Sequence, residues 1–223
     1  MGATVFAAKR YYSLGSQRPV TRVENYEQVK LELGRVASAG EYTRMFNELV
    51  GSNPHMQYAK ATVYKVVEPH LEEATQAWLV DALLPTTTIR KFSSNVTAGA
   101  NKDDLGMLCD ALAHFVCATS AQHVVLVDIQ GISPLILIDP IFHTYVEIHA
   151  LHTTLSYSVS RHDATAGLGD HGPDGIIQFI EQHVCNRVCK GLKLPLLDVD
   201  DVPTKPGKTD NATDGEPDEE EEL

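Results

Sequence analysis

The sequence predicts an α+β fold, and three observations carry that prediction. Short runs rich in β-branched and aromatic residues (58–67, 77–84, 124–127 and 135–138) are interleaved with longer stretches of helical period. The 223 residues are 43% hydrophobic and 22% charged, a composition that buries a core. The charge is also uneven: of the formal −12, residues 198–223 hold eleven acids against two lysines, leaving −3 for residues 1–197. A near-neutral body argues against a nucleic-acid binder, which needs a basic face. No apolar run approaches the ~18 residues of a membrane span, and the N-terminus shows no signal-peptide core. Four cysteines without a secretory leader read as thiols or metal ligands, not as a disulfide framework. The expectation is one soluble, intracellular, cytoplasmic domain that engages neither membrane nor nucleic acid. A disordered acidic tail, 198–223, follows it.

The elements follow in chain order. Residues 5–12 form a strand-like run, and Gly15–Pro19 a loop. From Glu24 to Val50, apolar residues recur three and four apart, and Gly34 with Ser38-Ala39-Gly40 is expected to divide the stretch into two helices. Residues 58–67 and 77–84 read as strands. Helical period returns from Lys102 to Ser120, with Leu105, Leu108, Leu112, Phe115 and Val116 on one stripe. Residues 124–127 and 135–138 are short apolar strands joined by a turn at Gly131–Pro134. A variable loop is expected over 145–166. Gly172-Pro173-Asp174 then opens a helix, proline being suited to the first turn.

Two constellations carry chemistry. His183-x-Cys185-x3-Cys189 offers three zinc-type ligands within seven residues, and a closed structural site needs a fourth. His114, about 200° from Leu112 on its helix and so off the apolar stripe, is the best donor. Cys117, one turn away, competes with it, and a plain core reading of the cysteines stays open. In the second constellation, Asp128 and Asp139 lie near the ends of apolar strands, either side of the turn. Antiparallel pairing brings them within cross-strand reach, where two carboxylates and an amide oxygen suit Mg²⁺. Simple strand-capping acids fit the same pattern. Gly167-x-Gly169-x-x-Gly172 lacks the βαβ setting of a dinucleotide fingerprint, so a glycine turn into the next helix is the plainer reading.

Taken in order, these pieces resemble the alpha-kinase family of atypical serine/threonine protein kinases. The resemblance rests on Ala113-His114-Phe115, Val127-Asp128-Ile129-Gln130-Gly131, Ile138-Asp139-Pro140, Gly169-Asp170-His171-Gly172 and His183-x-Cys185-x3-Cys189. The run Leu83–Asn95 (LLPTTTIRKFSSN) is similar to fungal members. The likeness spans about residues 5–195.

The resemblance implies a two-lobed catalytic domain over 1–197, with the N-lobe about 1–80 and a zinc-stabilised C-lobe about 81–197. It implies transfer of the γ-phosphate of Mg·ATP to Ser/Thr hydroxyls of a protein substrate. Lys9 matches the lysine that holds ATP phosphates, and Asp81 stands where the family usually has a glutamate beside adenine. Lys91 matches the catalytic-site lysine, and Asn95 the polar residue just after it at the nucleotide. Asp128 takes the general-base position, and Gln130 and Asp139 the Mg²⁺ positions. His114, His183, Cys185 and Cys189 match the structural Zn²⁺ ligands, which decides against Cys117. Gly169, Asp170 and Gly172 match the loop that engages peptide substrate, with Asp170 where many members have asparagine. Only eight residues precede Lys9, where the family has further strands and a phosphate-covering loop, so an incomplete N-lobe is expected. The alternative reading is a catalytically impaired pseudokinase or fragment that acts as a zinc-stabilised interaction module.

Overall fold

The computed structural model describes residues 5–14, 18–51, 56–66, 76–84, 88–132, 136–145 and 167–203. The first half runs β1 (Phe6–Lys9), α1 (Arg22–Val50), β2 (Gln57–Tyr58), β3 (Ala61–Val66), β4 (Gln76–Ala82) and β5 (Arg90–Lys91). The second runs α2 (Asp104–Thr119), β6 (Val124–Val127), β7 (Gln130–Ile132), β8 (Ile136–Ile138) and β9 (Ile141–Thr144). It closes with α3 (Gly172–Gln182), α4 (Arg187–Gly191) and a 3-10 turn at Val199–Asp201. The expected interleaving of strands and helices is present.

Residues 22–50 form one helix, where two were expected. Its start is a capping box: the Glu24 N–H donates to Thr21 Oγ1 (3.2 Å), and the Thr21 N–H donates back to the Glu24 carboxylate (2.9 Å). Each interior glycine costs about 1 kcal/mol against alanine. Tertiary packing outweighs that cost, because Asn25, Val29, Arg35, Ala39, Thr43 and Phe46 are buried at steps of one to two turns along the whole length. Burying side chains the size of Val29 and Phe46 contributes roughly 1.5–3 kcal/mol each. Asn47 then turns the chain back, bonding both the carbonyl and the N–H of Met56 at the entry to β2 (2.7 and 3.1 Å).

A three-stranded antiparallel sheet, order β1-β4-β3, packs on α1. Lys9 opposes Leu79 and Ala7 opposes Asp81, so Lys9 and Asp81 lie diagonally on one face. A second sheet has the order β2-β8-β7-β5, and a third pairs β6 with β9. The expected division near residue 80 is not sequential, since β2 already belongs to the second sheet, parallel to β8. α2 crosses behind β6 with Cys109, Ala111, Leu112, Val116 and Cys117 fully buried. It is enclosed on nearly all sides, so a single apolar stripe underdescribes it.

The chain end departs from expectation. Asp198–Pro203, predicted as the start of a disordered tail, docks on the body. The Asp198 N–H donates to Gln122 Oε1 (2.9 Å), and Val202 joins the main core. Net charge mispredicts this stretch because one buried valine and a few backbone bonds suffice to fix it. The remaining tail, 204–223, lies outside the described residues, as do 146–166 of the expected loop and 133–134 of the expected turn, whose first two residues, Gly131 and Ile132, lie in strand β7 instead. Truncation after Leu197 should lower stability by about 2 kcal/mol, the worth of burying one valine. Truncation after Pro203 should leave the melting temperature unchanged, and thermal denaturation of the two variants checks both outcomes.

Candidate active site and metal cluster

β6 to β9 form one long hairpin that changes sheets part-way. Val127 opposes Ile141 in one sheet and Gln130 opposes Ile138 in the next, so the register is kept with no residue gained or lost. Asp128 and Asp139 make the switch, with φ of 48° and 47°. Few residues other than glycine enter this left-handed region, and aspartate is among those that tolerate it. That register leaves the two acids one step apart on neighbouring strands, the diagonal placement within the range that the pairing argument expects.

Two lysines reach them from different sheets. β5 lies antiparallel to β7 with Lys91 opposite Gln130. Beyond it the Phe92 N–H donates to the Ile129 carbonyl (2.8 Å), and the Ile129 N–H donates to Ser93 Oγ (3.0 Å). Lys91 Nζ then lies 2.8 Å from Asp128 Oδ1, and Gln130 Nε2 lies 3.5 Å from the other oxygen. Lys9 Nζ donates to Asp139 Oδ1 at 2.8 Å and pairs with Asp81 Oδ2 at 2.9 Å. Burial alone would lower the Lys9 pKa. The hydrogen bonds and charges of Asp139 and Asp81 outweigh it and hold the ammonium above the ordinary lysine range. The structure thus brings together Lys9, Asp81, Lys91, Asp128, Gln130 and Asp139, with Asp81 turned onto Lys9.

The second constellation also assembles. Ligand atoms of His114, His183, Cys185 and Cys189 all lie within 4.8 Å of one another. His114 Nε2 is 2.7 Å from the Pro195 carbonyl, which can only accept, so Nε2 carries the proton. Its Nδ1 lone pair faces His183 Nε2 (3.0 Å) and Cys185 Sγ (3.5 Å). Burial lowers the His114 pKa. His183 is pushed down to about 4, first by burial and then by His114. Neutral imidazole is the ligating form. Asn186 caps α4, accepting from the Val188 and Cys189 N–H groups (2.8 and 3.2 Å), while its own amide donates to the Met107 carbonyl (2.8 Å). These bonds orient Cys189 against α2. Burial pushes the Cys189 thiol up to about 11, a direction that a bound cation reverses. Donor atoms of soft and borderline type on two buried and two half-buried residues, with one ring already oriented by an outer carbonyl, fit Zn²⁺. Cys117 lies outside this set and is buried among apolar neighbours. His114 itself is fully buried. Being off the stripe was therefore not what marked it, and its polar demand is met by Pro195 and the cluster.

The alpha-kinase family model matches residues 3–189. The chain belongs to the alpha-kinase family. It is 24% identical over 200 residues to eukaryotic elongation factor 2 kinase of Rattus norvegicus, covering 89% of this chain and 23% of that protein. It is 23% identical over 190 residues to myosin heavy chain kinase B of Dictyostelium discoideum, covering 84% and 22%. The chain thus spans less than a quarter of these relatives' lengths. Its fold is that of the alpha-kinase domain of myosin heavy chain kinase A. The structure of that domain in complex with ADP superposes with a TM-score of 0.57 at 23% identity, over 81% of this chain and 62% of that one. The complex with AMPPCP gives 0.56 at 23% identity, over 76% and 58%.

In this alpha-kinase chain the glycine loop meets the hairpin's far end. Gly169 has φ of 89°, a conformation only glycine holds without strain. Asp170 is almost fully used internally. It accepts from the Thr144 N–H (3.0 Å), the Thr144 hydroxyl (2.6 Å) and the Gly172 N–H (2.7 Å), and its side chain is 1% exposed. It shapes the loop and does not present its carboxylate to a substrate. Gly172 begins α3. Asn95 is tied in through its carbonyl, which accepts from His143 Nε2 (2.7 Å).

His143 escaped sequence reasoning because it sits in an apolar strand. It links the loop after Lys91 to the glycine loop, since its Nδ1 accepts from the His171 N–H (3.1 Å) and its ring stacks on His171 at 4.9 Å. A Cβ at Gly175 would collide with the His143 ring, and a glycine at the fourth position of a helix was the one available signal. Burial lowers the His143 pKa, against the Asn95 carbonyl and the Asp170 charge that oppose it. The stability of the neutral form is fully present above the ordinary histidine value of about 6.5 and is lost as pH falls through the lower folded value. His143→Gln should therefore flatten the fall in melting temperature between about pH 7 and 5. An unchanged slope would show that other groups carry it.

Proposed function

We propose that this alpha-kinase chain transfers the γ-phosphate of Mg·ATP to serine or threonine hydroxyls of a protein inside the cell. One observation supports the reading most: two lysines from separate sheets each pair with one of two left-handed aspartates that lie one register step apart in a hairpin. Phosphoryl transfer is mainly a matter of positioning and charge neutralisation, and this arrangement supplies both. Lys9 holds ATP phosphates once they replace Asp139 as its partner. Lys91 turns from Asp128 toward the transferred phosphate. Asp128 accepts the proton of the attacking hydroxyl. Asp139 and the amide oxygen of Gln130 would hold Mg²⁺, which when bound neutralises phosphate charge. Asp81 keeps Lys9 oriented, and Asn95 and the Gly169–Gly172 loop border the nucleotide and the peptide. His114, His183, Cys185 and Cys189 would hold a structural Zn²⁺ that ties α2 to α3 and α4.

Asp139→Ala and Asp128→Ala should both abolish transfer to Ser/Thr peptides, but differently. Loss of Asp139 should weaken Mg·ATP binding in calorimetry. Loss of Asp128 should leave nucleotide affinity nearly intact and lower kcat by about 10²–10⁴-fold, the range of general-base catalysis. A wild-type chain that neither binds Mg·ATP nor phosphorylates any peptide would falsify the reading.

Metal analysis of the purified chain should find one zinc per molecule at the single His/Cys cluster among the described residues. Cys189→Ala should lose the metal and melt at lower temperature. Zinc-free wild-type protein with an unchanged melting temperature would remove zinc from the account.

A further inference from the structure

Lys91 is aimed by its backbone. Its side chain is 61% exposed, with Asp128 as the partner of its ammonium, so little packing directs it. Where Nζ can reach then depends on how firmly β5 is held, and β5 has only two residues, Arg90 and Lys91. Both neighbours of Lys91 are fastened to the segment that opens α2. On one side, Arg90 makes a two-pronged pair with the Asp103 carboxylate (2.9 and 2.5 Å). Asp103 in turn caps α2 by accepting from the Gly106 N–H (3.1 Å). On the other side, the Phe92 carbonyl accepts from Asn101 Nδ2 (2.9 Å).

Asn101 is common to both sides. Its Oδ1 accepts from Arg90 Nη2 (3.3 Å), while its Nδ2 donates to the Phe92 carbonyl and to Asp110 Oδ1 (2.7 Å). Its backbone N–H donates to the other Asp110 oxygen (2.9 Å). The amide has one workable orientation, because turning it over would face its oxygen to a carbonyl and a carboxylate, and its hydrogens to a guanidinium. Asp110 is buried and set on α2, so the clamp has a rigid base. Two glycines leave room for it: a Cβ at Gly99 would collide with the Asp110 carboxylate, and one at Gly106 with the Asn101 side chain. We propose that Asn101 is a positioning residue for Lys91: it holds the carbonyl that follows the lysine and the guanidinium that precedes it. It thereby fixes β5 against β7 and sets the reach of Nζ toward the transferred phosphate. The inference rests on the proposed kinase function, which gives Lys91 that task.

Asn101→Ala would strip the enclosed Asp110 carboxylate of a donor and endanger the fold, so the test exchanges the pair: Asn101→Asp combined with Asp110→Asn in the full chain. The contact between the two side chains survives with its donor reversed, and Arg90 keeps an acceptor, but the Phe92 carbonyl loses its donor. Amide hydrogen exchange should then quicken about tenfold at Phe92 and Ile129, as for one lost hydrogen bond. The amides of Leu112 and Val116 in α2 should stay within about twofold of wild type. In phosphotransfer assays kcat should fall about 10–100-fold, the cost of a displaced group, while Kd for Mg·ATP and KM for peptide move less than about threefold. Exchange that is unchanged at Phe92 and Ile129, or that quickens equally at all four amides, overturns the proposal. So does an unchanged kcat in an active enzyme, and so does outright unfolding of the exchanged pair, which would make Asn101 a purely structural residue. If the wild-type chain transfers no phosphate, the kinase reading fails separately. The exchange measurement then decides alone whether Asn101 holds the Lys91 segment.

Discussion

The site is organised by a strained crossing of two strands. The hairpin that starts in β6 must leave one sheet and enter another in both arms at once, and Asp128 and Asp139 take left-handed backbone to do so. Each such residue costs about 1–2 kcal/mol, so the crossing persists only where neighbours hold it. Ile129, between the crossing and β7, is held on both its N–H and its carbonyl by the segment that carries Lys91. The bonds that stabilise the crossing therefore also deliver the lysine. Aspartate satisfies two demands there, since it tolerates the backbone and supplies the charge.

Charge explains why this assembly is poised and not merely stable. Three carboxylates, Asp81, Asp128 and Asp139, face two lysines, Lys9 and Lys91, and every lysine has a partner. On the proposed function, phosphates compete for the lysines while the cation competes for the carboxylates. The exchange swaps partners without leaving an enclosed charge bare, provided Asp128 retains a donor. Lys9 adds a mechanical role, because it joins the first sheet to the hairpin through paired acids on each.

Local pattern made much of this legible. The runs that hold β1, β3, β4, β6 and β8 follow from period and residue type, as do α2, the start of α3, the zinc-type spacing and the two acids at strand ends. β5, β7 and β9 escape that reading, and β6 pairs with β9 where pairing with β8 is expected. The unread parts were long-range. Gly34 and Gly40 suggested a break that the buried face of α1 overrides. Asp170 looks like a free loop acid, yet Thr144 and Gly172 consume it. Asp81 carries no local mark of its partnership with Lys9, which arises from strand register alone. Val202 sits in an acidic run and is buried regardless. Helical position also misjudged His114, because a stripe argument presumes one solvent face and α2 has almost none.

The cluster and the crossing are joined by α2. His114 holds the cluster end, and Asp110, one turn earlier, accepts from the Asn101 N–H (2.9 Å) and the Asn101 amide (2.7 Å). The second hydrogen of that amide donates to the Phe92 carbonyl (2.9 Å), and the Phe92 N–H donates to the Ile129 carbonyl (2.8 Å). A continuous line of bonds thus runs from the cluster, along one turn of helix, to the residue between Asp128 and Gln130. Residues i and i+4 on a helix move together, so whatever fixes His114 also fixes Asp110. In this geometry a metal held by His114, His183, Cys185 and Cys189 needs no contact with substrate to matter for chemistry. It would act by keeping α2 in place, and α2 keeps in place the segment on which the strained aspartate depends.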